Sequence, residues 1–174
     1  MFRLKFLLLS LGLMTLTLTA TGCFLTNDAM SVIEYNNEVV RILNNTGAAI
    51  EESTDQYDQS IPNIVTESST IDTTVAETIY NDATTKLSEA QSVLTLISQN
   101  EAQQTAVRTE FETYLALGQT YLETYTSMLD YYRAGTYKES LDNVATFDQD
   151  LHTEYNDFVK ANNNLVDTLS QYVQ

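Results

Sequence analysis

Catalysis in an all-protein site needs a nucleophile, an acid–base pair or a set of metal ligands, and this chain offers few of them. Its single histidine is His152 and its single cysteine is Cys23, set against 24 Asp and Glu. Helical carboxylate-bridged metal sites need inward glutamates together with Glu-x-x-His pairs. Gln149 stands three residues before His152, so that motif fails, and a lone imidazole makes no metal site. His152 is expected instead to meet Asp148, one helical turn back, as an ordinary surface pair. Glu34 with Glu38, and Glu110 with Glu112, lack any sign of the burial that would separate their pKa values for acid–base work. No serine has a motif that would bring it to an acid-supported histidine, and no glycine-rich phosphate loop occurs. The expectation is a chain that is not an enzyme and holds no metal or other cofactor.

Cys23 is different because of what precedes it. Arg3 and Lys5 are followed by an uncharged apolar run from Phe6 to about Leu18, then by the small residues Ala20-Thr21-Gly22. Positive start, apolar middle and small-residue exit are the requirements of a secretory signal. The run is short for a membrane span, which needs about 20 apolar residues. Ala20-Thr21-Gly22-Cys23 resembles the lipobox of bacterial lipoproteins, although Leu is commoner where Ala20 stands. That resemblance implies cleavage before Cys23 and lipidation at it. The expected organisation is a signal peptide over 1–22, a lipidated N-terminus and short tether over 23–27, and a helical domain over 28–174. Phe24 is not the aspartate that retains many lipoproteins in an inner membrane, which by analogy leans towards an outer surface. The expected location is the extracytoplasmic face of the cell membrane or outer membrane.

Loss of residues 1–22 removes two basic residues and no acid, moving the net charge from −16 to −18. Such an acidic domain is not expected to bind nucleic acid, whose recognition rests on Lys and Arg. A polybasic grip on anionic lipid is equally disfavoured. Dispersed acids instead make a solvated, self-repelling surface.

Helical periodicity organises the domain. One seam runs Ala29, Val32, Asn36, Val39, Leu43, Thr46, Ile50, Ser53, Tyr57, and a looser one runs Val75, Ile79, Ala83, Leu87, Ala90, Leu94, Ile97. A third joins Phe111, Leu115, Gly118, Leu122, Tyr125, Leu129 and Tyr132, widened by Tyr114, Tyr121 and Met128. The fourth, Leu141, Val144, Asp148, Leu151, Tyr155, Phe158, Asn162, Leu165, Leu169, Tyr172, alternates steps of three and four throughout. Such alternation keeps one seam facing neighbouring helices. Pro62 ends the first helix, Thr74 with Glu77 reads as a capping box, and Ser98 or Asn100 is placed to cap the third helix. Gly135 closes the third helix, and Thr136 with Glu139 reads as a box for the fourth. Helices are therefore expected near 28–60, 72–98, 101–134 and 136–173. Short connections make neighbours antiparallel, giving an all-α, up-down-up-down four-helix bundle. Asp148 and Asn162 would then be core polar residues that fix register, and Gly118 a point of close helix approach.

In that arrangement the 58–70 segment and the Gly135 hairpin lie furthest from Cys23. Tyr131, Arg133, Tyr137 and Lys138 there form a candidate partner-binding tip, with Tyr131 and Tyr137 expected to be exposed. Tyr and Arg suit contact surfaces because they combine area with a polar handle. The lipobox, Ile33-Glu34-Tyr35-Asn36-Asn37, and Tyr131-Tyr132-Arg133 followed by Tyr137-Lys138-Glu139 resemble features of small helical bacterial lipoproteins such as the YiiG-like group. The resemblance spans most of the chain. It implies a membrane-anchored bundle without assigned chemistry and carries no functional residue over. The expected role is a non-enzymatic interaction or structural protein of the cell envelope, with an envelope protein as partner. The alternative is a binder of a small ligand or cell-wall glycan in a groove between helices.

Overall fold

A computed structural model describes residues 32–94 and 102–171. The signal region, Cys23, the tether, and the expected 98–100 turn with its caps lie outside the described residues. Four long helices make the fold: α1 (Val32–Ser60), α2 (Thr74–Leu94), α3 (Ala102–Arg133) and α4 (Val144–Ser170). A single turn of 3-10 helix, Thr136–Lys138, lies between α3 and α4, and no strand occurs among the described residues. None of the described helices is long and apolar enough to cross a membrane.

The seams of α1 and α3 are filled as their periodicity predicts. Val39, Leu43, Thr46, Ile50, Ser53 and Tyr57 are buried along α1. Every seam residue of α3 from Phe111 to Tyr132 is buried as well, with Tyr114, Tyr121 and Tyr125 fully enclosed. Gly118 is where the helices crowd. A Cβ there would lie 3.2 Å from Ile50 on α1, 3.2 Å from Leu87 on α2 and 3.3 Å from Phe158 on α4. The missing side chain lets three neighbours converge on α3.

Three local expectations are corrected. Thr73, not Thr74, opens α2: its carbonyl accepts the Glu77 amide at 2.8 Å, and its hydroxyl meets the Glu77 carboxylate at 2.6 Å. Asp72 adds a bond from the Thr74 amide at 2.9 Å, which holds its carboxyl below the ordinary range. The seam member Val75 is 52% exposed, and Ala76 is buried in its place.

The second correction concerns α4, which begins at Val144 rather than Thr136. Gly135 takes the left-handed conformation at φ 72°, as expected of the residue closing α3. The chain then makes the 3-10 turn, with amides of Lys138 and Glu139 reaching the carbonyls of Gly135 and Thr136 at 2.9 and 3.0 Å. A continuous helix from Thr136 would use the Ser140 carbonyl internally. Here it accepts the Tyr131 hydroxyl at 2.6 Å instead.

The third concerns polar residues placed on the α4 seam. Leu141 and Asp148 are exposed and Asn162 is half-buried, while the core of α4 is Leu151, Phe158, Ala161, Leu165 and Leu169. A straight helix drifts about 20° per heptad from a 3.5-residue repeat, so a long 3-4 alternation cannot follow the core throughout, and here it leaves the core towards the start of α4, at Leu141 and Asp148.

Candidate functional site

Tyr131, Arg133, Tyr137 and Lys138 lie together where α3 gives way to the 3-10 turn, but the tyrosines point inward. Tyr131 is 8% and Tyr137 2% exposed, which overturns the expectation that these rings face solvent. The Tyr137 hydroxyl donates to the Ser69 carbonyl at 2.8 Å, pinning the hairpin to the 61–73 connection. Its ring meets Tyr132 edge-on at 5.6 Å between centroids, and Tyr131 packs against both Tyr132 and Phe147 at 5.3 Å. Aromatic rings prefer such tilted and edge-to-face arrangements because their edges and faces carry opposite partial charge. The connection has structure of its own: the Ser69 amide donates to the Thr66 carbonyl at 2.9 Å, and the Thr66 amide to Ser69 Oγ at 2.9 Å. Val65 is buried and Ile64 is 78% exposed.

The tip's surface is therefore charged and aliphatic rather than aromatic, with the bases Arg133 and Lys138 exposed beside the acids Glu67, Asp130 and Glu139. Arg133 lies exposed between Glu77 of α2 at 3.2 Å and Asp130 at 2.9 Å. Lys138 is exposed and places Nζ 5.7 Å from the centre of the Tyr137 ring.

Below the tip lies a polar clasp between α1 and α4. The Tyr57 hydroxyl donates to Asp148 Oδ1 at 3.2 Å. His152 Nε2 stands 3.6 Å from Asp148 Oδ1, the expected pair, and 4.0 Å from Asp58 Oδ1 on α1. Burial and the nearby carboxylates push the Tyr57 phenol well above its ordinary range. Burial also raises the Asp58 carboxyl, against the lowering effect of His152. No group of three or more His, Cys, Asp or Glu among the described residues is arranged to hold a metal. Further inside, Tyr121 meets Ser53 Oγ at 3.1 Å and Thr54 Oγ1 at 2.8 Å, and burial raises its phenol to about 12. These hydroxyls are mutually satisfied packing groups, which is how buried polar side chains are usually accommodated.

At the other end of the same two helices the seam opens. A groove of about 240 Å³ is lined by Val40, Leu43 and Asn44 of α1 and by Asn162, Val166 and Leu169 of α4. The physical reason is sparse packing: α3 packs extensively on α4 and α1 on α2, whereas α1 and α4 meet over a short stretch. Asn162 thus lies on the groove wall instead of in the core.

No protein family, no curated protein and no solved structure matches the chain.

Proposed function

We propose that this chain is an extracytoplasmic lipoprotein, held to the cell membrane or outer membrane by lipid on Cys23, whose helical domain acts as a non-enzymatic interaction or structural protein of the envelope. The observation that carries the anchor is Cys23 directly after Ala20-Thr21-Gly22 and an uncharged apolar run. Acyl chains on that cysteine add about 0.8 kcal/mol of membrane affinity for each buried CH₂.

The helices run up-down-up-down in this reading. Support comes from residues that meet: Gly118 with Phe158, Tyr121 with Tyr155 and Tyr131 with Phe147 pair rising numbers on α3 with falling numbers on α4. Tyr80 with Tyr125, and Leu87 with Gly118, relate α2 to α3 in the same sense. The start of α1, next to the anchor, then lies at the groove end. Arg133, Lys138 and Ile64 lie at the far end, about 48 Å away for a 32-residue helix. That end is the surface offered to an envelope partner, through exposed bases and an aliphatic side chain. The tyrosines hold its shape.

The groove supports a second reading, binding of a small ligand or glycan. Small-molecule sites are typically about 300–1,000 Å³ and enclose their ligand. At about 240 Å³ with an open mouth, the groove is a weaker candidate.

Metabolic labelling with a fatty-acid analogue tests the anchor. The wild-type chain takes up label and fractionates with membranes, and Cys23→Ser takes up none. Label retained on the serine variant contradicts the reading.

A further inference from the structure

The outer edges of the α1/α4 groove carry a pattern independent of the core. On α1, Ile33, Asn37, Val40, Asn44 and Gly47 follow one another by steps of four and three. On α4, Asn156, Val159, Asn163, Val166 and Ser170 do the same. Apart from the half-buried Gly47, every member is exposed, with Ile33 at 73%, Val40 at 46% and Val159 and Val166 at 37% each. Alternation of three and four is the spacing that keeps a stripe facing another helix. Among the described residues these stripes lie at and beyond the edges of the α1/α4 groove and are covered by no other helix, except at Gly47, where a Cβ would lie 3.6 Å from the Tyr114 hydroxyl of α3.

Neither stripe contains a charge, although the sequence carries 24 acids. The charged residues of the same stretches fall elsewhere on the helices. Glu38 and Arg41 pair at 2.6 Å away from the groove, and Asp157, Lys160 and Asp167 lie off the α4 stripe. Charge resumes at the next stripe position of α1 towards the tip, Glu51.

We propose that this face is where two copies of the chain pack against each other, the exposed valines of one meeting the groove of the other and the asparagine amides pairing across the interface. Two properties select a second copy over an unrelated partner. An isologous interface must be complementary to itself. An amide carries both donor and acceptor, so an asparagine stripe can bond to its own kind, whereas a charged stripe would repel it. The acidic body elsewhere makes approach of two copies costly, and a face without charged members adds least to that cost. Polar asparagines within an apolar seam also serve to set register and the number of helices that join.

The test uses two differently tagged copies of the full chain expressed together and purified through one tag in mild detergent. Wild-type copies co-purify. Val40→Glu with Val166→Glu places carboxylates on both sides of the groove and lowers recovery of the second copy at least tenfold, with the helical circular dichroism unchanged. Val159→Glu, outside the groove lining, gives the same loss and decides the matter if the double variant does not fold. Ile64→Glu, at the opposite end, leaves recovery at the wild-type level, which separates interface packing from shared detergent micelles. Wild-type copies that do not co-purify, or stripe variants that co-purify as the wild type does, overturn the proposal. It is also overturned if the stripe variants lose a different protein while self-recovery stays unchanged.

Discussion

The seam between α1 and α4 is fastened at one end and open at the other. Near the tip, Tyr57, Asp58, Asp148 and His152 lie within 4.0 Å of at least one partner across it. At the opposite end the same helices diverge around Val40, Leu43, Val166 and Leu169. Polar side chains reach across a gap and specify who their partner is, whereas aliphatic ones need close approach. The contrast separates a part of the bundle built to keep its shape from a part whose apolar residues still lack a complete shell.

The largest effect expected of that contrast is in core truncations. Leu151→Ala, in the enclosed part of α4, costs about 2–5 kcal/mol, as large-to-small changes in packed cores do. Val166→Ala, on the groove wall and 37% exposed, costs less, by about 1 kcal/mol or more, because one side of that residue already faces solvent. Denaturant melts of the two variants check this, and equal costs would break the distinction between the ends. Next comes the clasp. Tyr57→Phe removes the donor to Asp148 while keeping the buried ring, at a cost of about 1 kcal/mol in the same melts.

The smallest effect is a pH dependence. Burial raises the carboxyls of Asp58 and Glu154, so the folded state favours their protonated forms more than the unfolded chain does. Their cost is present at neutral pH and is relieved as pH falls into the carboxylate range. Asp58→Asn therefore raises stability slightly at neutral pH and flattens the gain on acidification. Solvent screening keeps the change below about 0.5 kcal/mol. Melts between neutral and mildly acidic pH report it.

How much of this was legible in the residues depends on how local the governing forces are. The α1 and α3 seams were, because long runs of apolar and small residues at helical spacing leave one way to bury them. Pro62 and Gly135 were, because each restricts or frees its own backbone. The start of α4 was not. Thr136 and Glu139 satisfy a local capping rule, but burying Tyr137 and satisfying the Tyr131 hydroxyl from Ser140 outweigh it. Asp148 was misplaced because a seam written at 3.5 residues drifts on a straighter helix, and Asn162 because α1 and α4 diverge beside it. Of the tip, the position of Arg133 and Lys138 on the hairpin was readable. The inward turn of the tyrosines was not, since it depends on the Ser69 carbonyl, 68 residues away in sequence. The neutral stripes beside the groove were written in the sequence as alternating asparagine and aliphatic residues. Their meaning required knowing that α1 and α4 diverge there.

The central structural claim is that tyrosines fasten the tip instead of offering their rings to a partner. It is tested most directly by the denaturation midpoint of the Tyr131→Ala, Tyr137→Ala double variant. Each ring is buried and each hydroxyl bonds a backbone carbonyl, so the variant is expected to lose at least about 3 kcal/mol. A midpoint equal to that of the wild type, with the helical signal intact, would contradict the claim and return both tyrosines to the surface.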